Sequence, residues 1–174
     1  METESSRQWS CVIDVRDRAL QLPGYRASIL IGSFAAGTVD DLSDVDVIVA
    51  LEDGAFDAAW QQRASVRPLD ALHHWDVRPD RSREIAAHNW FTRELVLVEC
   101  VFATPRGRLR LAEPFAVLDG DPAAAELFGR RGPIARTELD EYNEQLRSKG
   151  HLPEFHLLYG KFIRALRADR ARRG

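Results

Sequence analysis

The chain has 174 residues, 45% of them hydrophobic, 29% charged and only two cysteine, with a formal net charge of −3, which excludes a disordered, collagenous or disulfide-stapled protein. Folding at this length buries roughly 70% of the unfolded chain's surface, so a core can stand without metal or disulfide. Residues 1–8 contain no apolar signal segment and the longest apolar run, Leu95 to Ala103, is short and carries Glu99, so a soluble, cytoplasmic protein with no membrane partner is expected.

The first predicted element is a helix from about Ser6 to Leu20, marked by Trp9, Val12, Ile13 and Leu20 and punctuated by Pro23-Gly24. Ala27 to Ile31 reads as a buried strand, and Gly32-Ser33 opens from it into a short helical turn at Phe34 to Gly37. After the polar loop Asp40 to Ser43, Val45, Val47 and Val49 alternate with Asp44, Asp46 and Ile48 in a second strand that runs to Leu51. Gly54 to Ala64 suits a short helix, and Ser82 to Phe91 reads as another, capped by Ser82. Glu94 to Ala103 is the strongest strand, with Leu95, Leu97, Glu99 and Val101 on one face and Cys100 on the other. Short strands are expected at Leu109 to Leu111 and at Phe115 to Leu118.

The character changes near Gly129. Residues 1–129 carry 13 Lys or Arg against 21 Asp or Glu, whereas 130–174 carry 11 against 6. Two helices follow, the first with Thr137 as its cap and Gly150 just past its end, the second entered through Pro153. Phe155, Leu158, Tyr159, Phe162 and Leu166 recur at helical spacing in the second, and the expectation is that they pack against the body or another subunit. The fold class is therefore α/β in the broad sense (α+β): a mixed sheet flanked by helices over 1–129, with a helical extension over 130–174 packed on it.

One constellation carries chemistry. Ile29-Leu30-Ile31 ends in Gly32-Ser33, and ten residues later Asp44-Val45-Asp46-Val47 opens the second strand. A strand ending in Gly-Ser lets an anion approach the backbone closely and adds the Ser33 hydroxyl. Residues two apart on a strand share a face, so Asp44 and Asp46 project together, and two carboxylates so placed repel unless they share a cation. Hard oxygen ligands suit Mg²⁺, which completes its shell with water and substrate phosphates. An anion seat beside a divalent-metal seat is the minimum equipment for phosphoryl or nucleotidyl transfer.

This pattern, ILIGS followed by DVDV, resembles the nucleotidyltransferase superfamily that includes DNA polymerase β, poly(A) polymerases and the small antibiotic-modifying enzymes. The resemblance covers about Ala27 to Ala103 and implies transfer of a nucleoside monophosphate, AMP in this reading, from an NTP to a hydroxyl. It implies that Asp44 and Asp46 bridge two Mg²⁺ ions and that Gly32 and Ser33 hold the terminal phosphates. It also implies a third carboxylate from a later strand. Glu99 is the candidate, a charge in an otherwise apolar run. The commoner residue there is Asp, and Asp76 is held in reserve.

Several other features point nowhere. His73-His74 diverge as neighbours and have no further ligand at metal spacing, and His151 and His156 do not share a helical face. Gly32 to Thr38 lacks the lysine of a Walker loop, and the acidic loop does not match a calcium-binding helix-loop-helix. The acceptor is expected to be a small molecule or a protein; with an acidic body and no RNA-binding appendage, nucleic acid ranks last. The alternative function is a non-catalytic, nucleotide-binding or antitoxin-like partner of a helical protein, and a homodimer fits the helical end equally well.

Overall fold

The two runs richest in β-branched residues become the central, parallel pair of a six-stranded sheet. The computed structural model describes residues 7–80 and 84–173. In chain order these form α1 (Arg7–Ala19), β1 (Tyr25–Leu30), α2 (Gly32–Ala36), β2 (Val45–Leu51), α3 (Phe56–Gln61), β3 (Ala71–Asp80), β4 (Ile85–Thr92) and β5 (Leu97–Ala103). There follow β6 (Arg110–Ala112), β7 (Ala116–Gly120), β8 (Gly129–Arg131), α4 (Arg136–Ser148) and α5 (Glu154–Arg173). The sheet order is β3-β4-β5-β2-β1-β7, antiparallel everywhere except between β2 and β5, and β6 pairs separately with β8.

Alternation along β2 sets the two layers. Val45, Val47 and Val49 face α1 and α3, joining Val12, Val15, Trp60, Val98, Cys100 and Phe102 in the larger core. Ile48 and Ala50 face the other way and meet Ala27, Ile29, Leu111, Ala124 and Phe128 in the smaller one. Asp46 belongs to this second face, one pleat beyond Ile48.

The structure corrects the expected helix at 82–91. Residues 85–92 are β4, hydrogen-bonded between β3 and β5. Ala86, His88, Trp90 and Thr92 are buried at period two, a pattern that the weak strand propensity of Ala86-Ala87 conceals. Ser82 lies outside the described residues. The strand expected from Glu94 begins only at Leu97, because Glu94 and Leu95 form the turn from β4, with Leu95 at φ 62. Thr92 pins that turn: its hydroxyl accepts from the Val96 N–H at 3.1 Å and its own N–H donates to the Val96 carbonyl at 3.0 Å.

The chain divides into two compact units, 1–133 and 134–174, and the pairing of β8 with β6 keeps 129–131 in the first. In the second, α4 starts at Arg136 with no side-chain cap, so Thr137 lies within the helix and not at its cap. Its end follows the Schellman pattern: Gly150 has φ 71, the Gly150 N–H bonds the Arg147 carbonyl at 2.9 Å, and the His151 N–H bonds the Leu146 carbonyl at 2.8 Å. Along α5, His156, Tyr159 and Ile163 are buried, but Phe155, Leu158 and Phe162 are 40%, 54% and 53% exposed. The apolar residues of α5 form two stripes, and only one of them is buried.

Candidate nucleotidyl-transfer site

Asp46 and Glu99 stand opposite each other on β2 and β5, in register, on the same sheet face. Their carboxyl groups are hydrogen-bonded to one another. Burial and then the charge of Glu99 push the Asp46 carboxyl well above the usual carboxylate range. Burial and then the charge of Asp44 raise Glu99 to about 7. Both side chains are half-buried, and two carboxylates this close favour holding a proton when no cation is shared between them. Asp44 sits at the entrance to β2, close enough to act on Glu99 electrostatically. The three carboxylates singled out from the sequence thus converge at one end of β2.

Gly32 closes the other side. The Ile31 N–H donates to the Asp46 carbonyl at 3.2 Å, which holds the end of β1 beside β2. The backbone then turns through Gly32 at φ 64, and a Cβ added there would lie 2.7 Å from Asp46 Oδ2. Glycine is required twice over, by its left-handed conformation and by the approach of the carboxylate. Ser33 follows in the first turn of α2, and Gly37, at φ 67, ends that helix.

The loop before Asp44 is fastened from two directions. Asp40 Oδ1 accepts from the Leu42 N–H at 3.1 Å and from the Ser43 hydroxyl at 2.7 Å, while the Asp40 N–H donates to Ser43 Oγ at 2.9 Å. From α1, Gln8 Nε2 donates to the Asp40 carbonyl at 3.1 Å, and Arg7 reaches the Asp41 and Glu94 carbonyls. Gln8 and Ser43 are almost wholly buried. Neither is among the site residues that the sequence motif marks. The signal available was weak: a Ser three residues after an Asp is the side-chain spacing of a tight turn.

Asp76, the reserve carboxylate, is elsewhere. It pairs with His88 and through it aligns with Cys100, on the sheet face opposite Glu99. Arg63 donates to both its oxygens at 2.9 and 2.8 Å, and His88 Nδ1 lies 2.5 Å from Oδ1. Burial alone would raise the Asp76 carboxyl, but the hydrogen bonds from Arg63 and His88 outweigh it and hold the carboxyl below its ordinary range. Arg63 also lies over the Trp60 ring, 4.7 Å from its centroid. This charge is already balanced and ties β3 and β4 to the segment after α3. Both cysteines are buried, and burial pushes the Cys11 thiol up to about 12 and the Cys100 thiol higher still, so neither serves as a nucleophile.

Among the described residues, no three His, Cys, Asp or Glu side chains are arranged ready-made as metal ligands. The donor set nevertheless fits a hard divalent cation, since it is all carboxylate, crowded, and relieved by positive charge.

A comparison with known proteins gives the family. The family model of the nucleotidyltransferase domain matches residues 13–118, which takes in the site and five of the six strands of the main sheet completely. The chain belongs to that family, and its mixed sheet with flanking helices is the α+β nucleotidyltransferase fold. No curated protein matches the chain. No helix among the described residues is long and apolar enough to cross a membrane.

Proposed function

We propose that the chain transfers a nucleoside monophosphate, AMP in our reading, from an NTP to a hydroxyl of a small molecule or a protein, with release of pyrophosphate. The observation that carries this reading is the registered pair of Asp46 and Glu99, beside Asp44 and backed by Gly32. Two Mg²⁺ ions held by Asp44, Asp46 and Glu99 would neutralise the triphosphate and lower the pKa of the acceptor hydroxyl. Gly32 admits the Asp46 carboxylate and lets the chain turn into α2, where Gly32 and Ser33 would hold the terminal phosphates. Asp44 and Asp46 fix the position of the attacked phosphorus. Glu99 would complete the second metal site or take the acceptor's proton.

A ligand that binds only the native state raises the melting temperature by mass action. Mg²⁺ with ATP is therefore expected to stabilise the protein, and Asp46→Asn is expected to abolish that shift without lowering the melting temperature of the metal-free protein. A shift of full size in the variant would overturn the assignment. Incorporation of labelled nucleotide into a panel of small-molecule and protein hydroxyl acceptors then separates a transferase from a protein that only binds nucleotide.

A further inference from the structure

We propose that Asn89 is a positioning residue of this site, fixing the Glu99 carboxylate in the orientation from which it reaches Asp46 and a bound divalent cation. The inference rests on the transfer reading above and adds a residue that the motif does not contain. Asn89 on β4 is in register with Glu99 on β5, which is in register with Asp46 on β2, so the three form one row across adjacent strands on one face. Asn89 Nδ2 donates to Glu99 Oε1 at 3.1 Å. The side chain is only 1% exposed, and its Oδ1 is buried with no hydrogen-bond partner among the described residues. A buried amide with half of its bonding capacity unmet is a poor choice for packing alone, where an apolar residue of the same size would serve better. What distinguishes Asn89 is the half that is met.

The residue type suits the task. An Arg or Lys in this row would neutralise Glu99 and compete with the cation, and an Asp would add a further negative charge. An amide orients the carboxylate and leaves its charge available, as outer groups around metal-ligating carboxylates do.

The test uses the full chain with Mn²⁺ as the probe metal and ATP present, reading free Mn²⁺ by electron paramagnetic resonance and melting temperature in parallel. Wild type should bind Mn²⁺ and Asp46→Asn should not. Asn89→Leu, which keeps the volume, should weaken Mn²⁺ binding about tenfold or more, with no fall in the metal-free melting temperature. Asn89→Ala should do the same if leucine is not tolerated. Mn²⁺ affinity within about twofold of wild type in a folded variant would overturn the proposal, and so would failure of both variants to fold, since the amide would then be holding the sheet and not the carboxylate. If wild type itself binds no Mn²⁺, the transfer reading falls and this inference falls with it. If wild type binds, Asp46→Asn does not and the Asn89 variants do, only the role of Asn89 is lost.

Discussion

A carboxylate that shares its proton with a neighbour makes opposite demands on stability and on function. Glu99 is raised to about 7 by burial and by Asp44, so its contribution to stability is fully present below the ordinary carboxylate range and is lost as pH rises through 7. Above that pH the metal-free protein carries crowded negative charge at the end of β2. Glu99→Gln should therefore raise the metal-free melting temperature by a few degrees at pH 8, and the gain should disappear at pH 5. The same variant should keep nucleotide binding while transfer falls by orders of magnitude, because an amide neither bridges cations well nor accepts a proton. Loss of the fold in Glu99→Gln at pH 8 would show that Glu99 is a structural partner instead. Asp76 illustrates the contrast: Arg63 and His88 already satisfy it, so nothing at that position calls for a ligand.

At the scale of elements, α5 separates what helical spacing indicates from what packing realises. Spacing marks Phe155, Leu158, Tyr159, Phe162 and Leu166 alike, yet Leu158 is 54% exposed whereas Tyr159 and Ile163 are 8% exposed. A helix richer in apolar residues than one face can bury leaves a second stripe exposed. Leu158→Asp is accordingly expected to leave the melting temperature of the monomer almost unchanged, while Ile163→Asp should cost several kcal/mol by burying an unpaired charge. Thermal denaturation of the two variants at equal concentration checks this. A large loss in Leu158→Asp, especially one that shrinks on dilution as wild type dissociates, would mean that a second subunit covers the exposed stripe.

Across the whole molecule, the buried histidines set the acid limit. Burial pushes His156 down to about 4, and burial also lowers His88 despite the pull of Asp76. Both are neutral in the native state at pH 7. Below the ordinary histidine value the unfolded chain binds protons that the native state refuses, so stability falls as pH drops from about 6.5 towards 4. For His156 the full effect is about 3 kcal/mol. His156→Gln should remove that share, seen as a flatter dependence of unfolding free energy on pH between 4 and 6.5. An unchanged slope would mean that His156 titrates normally.

The first helix, the strands at 25–30, 45–51 and 97–103 and the closing pair of helices were legible in the amino-acid sequence by itself, as was the placing of Asp44, Asp46 and Glu99 at charged positions in or beside apolar runs. These are local signals: apolar periodicity, glycine at a strand end, and charges at fixed offsets within apolar runs. The belonging of the chain to the nucleotidyltransferase family was legible for the same reason, since its motif lies within one short stretch. Tertiary structure alone decided that residues 85–92 form a strand, because Ala86 and Ala87 favour a helix locally and adopt the extended conformation only by pairing with both β3 and β5. It alone placed Glu99 opposite Asp46 and Asp76 on the other sheet face, since the face a strand residue shows depends on its register with strands distant in sequence. It alone brought Asn89 to Glu99, a contact made by strand pairing across a turn and marked by no motif. Local propensity is written residue by residue, whereas register and burial are properties of the assembled sheet.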